Sequence, residues 1–154
     1  MRNVRNSLFE TNSSSTHCMN IGREDINKLD IVHHVHFKAT SECHEIYNSL
    51  NRKASFLYGA LLNTKNKEYI EKLKEVLDKY NISYTFEECD DFKKFYPEDY
   101  YDIYEARYNF GNDIENFESN DIKEIFTPRR TQSVEEKILN YLFSEDSYLC
   151  YSLC

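Results

Sequence analysis

The chain has 154 residues, 40% hydrophobic and 15% aromatic, with a formal net charge of −8. That length suits one domain, residues 1–154, whose 13 Tyr and 10 Phe offset a shortage of aliphatic side chains. The acidic balance argues against direct binding to nucleic acid or an anionic membrane, and no apolar run approaches the roughly eighteen residues of a membrane span.

Residues Met1–Asn6 carry charge with no apolar stretch behind them, so no signal peptide is expected and a cytoplasmic location is. Residues 7–16 (SLFETNSSST) are polar and read as a loop. His17–Ile21 has the composition of a first strand, and Glu24–Leu29 that of a short helical turn. Asp30–Phe37 is β-branched between polar flanks and predicts a strand.

Residues 50–62 predict a helix with Phe56, Leu57, Ala60 and Leu61 on its apolar side. Asn66–Tyr80 is the clearest helix: Ile70, Leu73, Leu77 and Tyr80 recur at spacings of three and four, with charges opposite. Asn81 is its expected stop, and Ile82–Phe86 alternates as a half-buried strand should. Asp99–Tyr108 has helical spacing of Tyr101, Tyr104 and Tyr108. Pro128 blocks a helix reaching far past Ile125. Ser133 and Glu136 form a capping-box pattern that opens a helix through Phe143. Ser147–Cys154 alternates loosely and predicts a closing strand. The expected fold is α+β, a small mixed sheet of about four strands packed with three to five helices.

Net charge is unevenly placed. Between Glu87 and Glu124 thirteen acids face four bases, a net −9 in a chain of net −8. The same stretch holds nine Phe and Tyr residues, which argues against an unfolded acidic tail. Carboxylates over aromatic anchors suit a protein interface steered toward a basic cleft, such as one that holds nucleic acid. The candidate partner-binding residues are Glu87, Glu88, Asp90, Asp91, Glu98, Asp99, Tyr100, Tyr101, Asp102, Tyr104, Glu105, Asp113, Glu115 and Glu118. An ordinary solvated acidic face is the simpler alternative.

The other unusual text is Arg5–His17 (RNSLFETNSSSTH). It resembles the opening of a family of small uncharacterised proteins of Firmicutes phages and prophages, which begin RNxxFETNSSSTH. Their ends also resemble the segment Phe143–Tyr148 here, whereas the tail Leu149–Cys154 is less polar than theirs. The resemblance implies a phage origin and a host bacterial cytoplasm as location, and it implies no activity. Together with the acidic segment it gives the leading expectation: an anti-defence protein, anti-CRISPR-like or otherwise, that binds and inhibits a host protein through a nucleic-acid-mimicking surface.

A second reading uses Asn12, Ser13, Ser14, Ser15, Thr16 and His17 as a ligand loop. Its hydroxyls and amides suit a phosphate, and His17 suits a general base, which would make a small nucleotide-binding protein or enzyme. Phosphate-loop glycines are missing, and local ST-turn bonding explains the same text.

No cofactor or metal is expected. His34 and His36 share a strand face and would be the pair to hold a metal, with His17, Cys18, Cys43 and His44 as further donors, but no zinc spacing is present. Five cysteines, an odd number with no CxxC pair, are expected as thiols of a reducing compartment.

Overall fold

A computed structural model of the chain describes residues 9–10, 16–40, 45–64, 66–90 and 120–151. The fold is α+β, with its strands in two small sheets. Strands β1 (Phe9–Glu10), β2 (Thr16–Asn20), β4 (Ile46–Tyr47) and β6 (Tyr148–Tyr151) form an antiparallel sheet in the order β1-β2-β6-β4. Strands β3 (His34–Ala39) and β5 (Ser83–Glu88) pair in parallel as a second sheet.

Both sheets follow the period-two rule. In β3, Val35, Phe37 and Ala39 are buried while His34, His36 and Lys38 are exposed. Their β5 partners repeat the division: Tyr84 and Phe86 are half-buried, Ser83, Thr85 and Glu87 exposed. Phe86 is the hub of this inner side, with ring centroids 5.1 Å from Phe37, 4.7 Å from Tyr58 and 5.2 Å from Tyr84. In the antiparallel sheet, Met19 faces Leu149, which faces Tyr47, and all three are buried.

Helix α1 (Leu50–Thr64) packs along β3 and touches both other long helices, so it lies at the centre of the body. Helix α2 (Lys67–Lys79) begins at Asn66, whose side chain accepts from the Tyr69 amide. It ends as Asn81 takes φ 57°, a left-handed conformation that Asn tolerates. The Ile82 amide then bonds Leu77 O at 2.9 Å and the Asn81 amide bonds Asp78 O at 3.1 Å, a Schellman closure with buried Ile82 against buried Leu77.

Helix α3 (Val134–Phe143) starts on the expected capping box: the Glu136 amide donates to Ser133 Oγ, and the Ser133 amide donates to the Glu136 carboxylate. Residues 137–142 of α3 are buried around their whole circumference. A short helix over residues 120–125 adds Ile122 and Ile125 to the core and stops before Pro128.

One expectation needs correction. The strand read from Asp30 begins at His34, because its partner becomes available only after Asn81 has turned the chain; Ser83 N first meets His33 O at 2.9 Å. Antiparallel and parallel pairing are both present, each in its own sheet. The helix expected over Asp99–Tyr108 lies outside the described residues. No helix among the described residues is long and apolar enough to cross a membrane.

Candidate functional site

The acidic segment begins at the end of β5. There Glu87, Glu88 and Asp90 are exposed, and Cys89 N is tied to Ala39 O at 2.9 Å, so the exit is anchored to β3. Asp91, Glu98, Asp99, Tyr100, Tyr101, Asp102, Tyr104, Glu105, Asp113, Glu115 and Glu118 lie outside the described residues.

At its far end the segment, as delimited by sequence, runs too long. Asp121 is buried, and Glu124 is held inside the molecule by Lys137 Nζ at 2.7 Å and Arg129 Nη2 at 2.9 Å. Burial raises the Glu124 pKa, but the hydrogen bond and charge of Lys137, then those of Arg129, outweigh it and leave a carboxyl below its usual value. Asp121 is thus buried and Glu124 partly buried in an ion-pair cluster. Without them, residues 87–118 hold eleven acids and three bases, a net −8, which equals the net charge of the whole chain.

At the opposite end of β5, charges are paired locally. Glu135 accepts from Lys79 Nζ at 2.8 Å and from Tyr80 Oη at 2.5 Å, joining the end of α2 to the start of α3. Those hydrogen bonds, Lys79 first, lower the Glu135 pKa.

His34 and His36 do share one exposed face, as alternation requires. Parallel pairing then gives them partners that sequence could not. Ser83 Oγ donates to His33 O at 3.1 Å, so it accepts from His34 Nδ1 at 2.7 Å; His34 Nε2 lies 3.1 Å from Thr85 Oγ1. His36 Nε2 meets Glu87 Oε1 at 2.9 Å. With its proton committed to a carbonyl and an N–H facing its oxygen, Ser83 is poorly set as a nucleophile. The row is a cross-strand polar ladder. Among the described residues no three His, Cys, Asp or Glu side chains converge as a metal site.

Asn12, Ser13, Ser14 and Ser15 lie outside the described residues. Thr16 and His17 open β2, with Thr16 opposite Glu10 and His17 between Phe9 and Tyr151 in the pairing register.

Sequence reading missed a polar group at the centre. Lys53 is 2% exposed, and its Nζ donates to Ser144 O at 3.0 Å and Ser147 O at 3.3 Å. Burial lowers its pKa to about 8. Around it Tyr141 Oη donates to Lys53 O at 2.8 Å and Ser147 Oγ donates to Asn140 O at 2.7 Å while accepting from Gly22 N. These bonds are all structural contacts, so the cluster is a brace between α1, α3 and the chain after β2. A lysine between Arg52 and Ala54 in a helix carries no sequence signal for this.

No protein-family model, no curated protein and no solved structure matches the chain.

Proposed function

We propose that the protein is a phage-encoded binding protein that inhibits a host defence or regulatory protein by offering residues 87–118 to a basic, nucleic-acid-holding cleft. One observation carries this reading: a net charge of −8, equal to that of the whole chain, resides in those residues, whose first acids Glu87, Glu88 and Asp90 are exposed at the end of β5. The anchored exit at Cys89 supports it, since a segment fixed at its root loses less freedom on binding. Clustered carboxylates also speed encounter with a positive cleft. The resemblance of Arg5–His17 to phage proteins supplies the setting, in which a host effector that grips nucleic acid is the natural target.

The test is capture from host lysate on immobilised protein at about 0.1 M and about 0.5 M salt, repeated with heparin as competitor. A second variant carries Glu87, Glu88, Asp90 and Asp91 as their amides. The reading expects a retained partner that is released by salt and by heparin and bound more weakly by the amide variant. Retention indifferent to salt, heparin and the amides would refute it, as would no retained partner.

A further inference from the structure

Strands β2 and β6 set Cys18 and Cys150 directly opposite each other in an antiparallel register. Directly opposed residues point to the same side of a sheet, with Cα atoms about 4.5 or 5.5 Å apart according to the ladder position. Both values fall inside the roughly 4.4–6.8 Å that a disulfide spans, so neither backbone must move far. The flanking pair Met19–Leu149 is buried on the core side, which assigns the two thiols to the outer side. That side is reachable: Cys18 and Cys150 are half-buried, and Ile46, next in the same row, is 45% exposed. Two independent facts, the register and the exposure of the row, thus place a pair of thiols where a small reagent meets both.

We infer that Cys18 and Cys150 form a dithiol modification site that small-molecule disulfides of the glutathione class oxidise to a cross-strand disulfide. In the first step one protein thiolate attacks a sulfur of the small disulfide, forming a mixed disulfide and expelling one small thiolate. In the second, the other protein thiolate attacks the cysteine sulfur of that mixed disulfide and expels the second small thiolate. The protein loses two electrons and two protons, and one small disulfide becomes two small thiols. The bond closes residues 18–150 into a loop that includes the root of the acidic segment. This inference stands apart from the proposed function, since neither cysteine lies in residues 87–118.

The experiment exposes the full chain to oxidised glutathione, blocks remaining thiols by alkylation, and maps tryptic peptides without reduction. Peptides 6–23 and 138–154 carry the two cysteines, and the second also holds Cys154, so a Cys154→Ser chain is mapped in parallel. The expected product has lost the mass of two hydrogens, joins those peptides in both chains, and leaves Cys43 and Cys89 alkylated. Its melting temperature rises by on the order of 10 °C and falls back on reduction, because a long loop is closed in the unfolded chain. Linkage to Cys154, Cys43 or Cys89, or a stable glutathione adduct on Cys18 or Cys150 without ring closure, would overturn the assignment. Should the variant fail to fold, fragmentation of the linked wild-type peptides tells a bond at Cys150 from one at Cys154.

Discussion

The ammonium of Lys53 lies 3.0 Å from the carbonyl oxygen of Ser144, 91 residues away in the chain. Ser144 is the residue that ends α3, so a side chain from one helix satisfies an orphan carbonyl at the end of another. The same carbonyl end favours positive charge, which is one reason a cation is tolerated there.

The pH dependence of stability follows from that contact. Burial holds the folded Lys53 at about 8, against 10.5 for the unfolded chain. Between those values the unfolded state binds more protons, so this residue's contribution rises with pH through that window and is lost as pH falls through about 8. The raised tyrosines Tyr58, Tyr80, Tyr84 and Tyr141 act oppositely, above 10. Urea unfolding near pH 7.5 and near pH 9.5 should therefore show a positive slope that Lys53→Met removes. An identical slope in the variant would contradict the assignment.

Glu124 governs the acid side. Its folded pKa is below the usual 4.5, so its contribution is present above that value and disappears as pH falls through the folded one. Glu124→Ala removes the carboxylate 2.7 Å from the Nζ of Lys137, a residue 1% exposed, and should cost on the order of 3 kcal/mol. Adding Lys137→Met should recover part of that loss, a non-additivity that denaturant melts of the cycle would reveal. Strict additivity would show that the pair is not coupled.

Gly22 permits a close approach between the chain after β2 and the end of α3. A Cβ there would sit 2.8 Å from the Ser144 Cβ and still nearer its hydroxyl. Gly22→Ala should destabilise by about 2 kcal/mol, and Ser144→Gly in the same chain should relieve the overlap. Unchanged melting of the single variant would mean that the two segments separate easily.

Much of this fold is visible in the amino-acid order, for identifiable reasons. Ser133 and Glu136 announce α3 because capping bonds are local, and the apolar spacing of Leu73 and Leu77 announces α2 because one side of it faces the core. Asn81 marks the turn because few side chains accept a positive φ. Strand β4, only Ile46–Tyr47, is too short for alternation to register. The parallel register that puts His34 beside Ser83 and Thr85 depends on a partner about fifty residues away, and no local pattern encodes it. For the acidic segment, composition revealed the charge, while the burial of Asp121 and the pairing of Glu124 with Arg129 and Lys137 depend on tertiary structure.

The pairing of β2 with β6 has a kinetic consequence. Strands β3 and β5 and the helices α1 and α2 between them come from one stretch of about fifty-five residues, whereas β2 must find a partner some 130 positions on. The nearer group is expected to form first, and the seating of β6 between β2 and β4 to follow. Pulsed hydrogen exchange during refolding should protect the Phe37 and Thr85 amides before that of Leu149; the reverse order would place the nucleus in the antiparallel sheet.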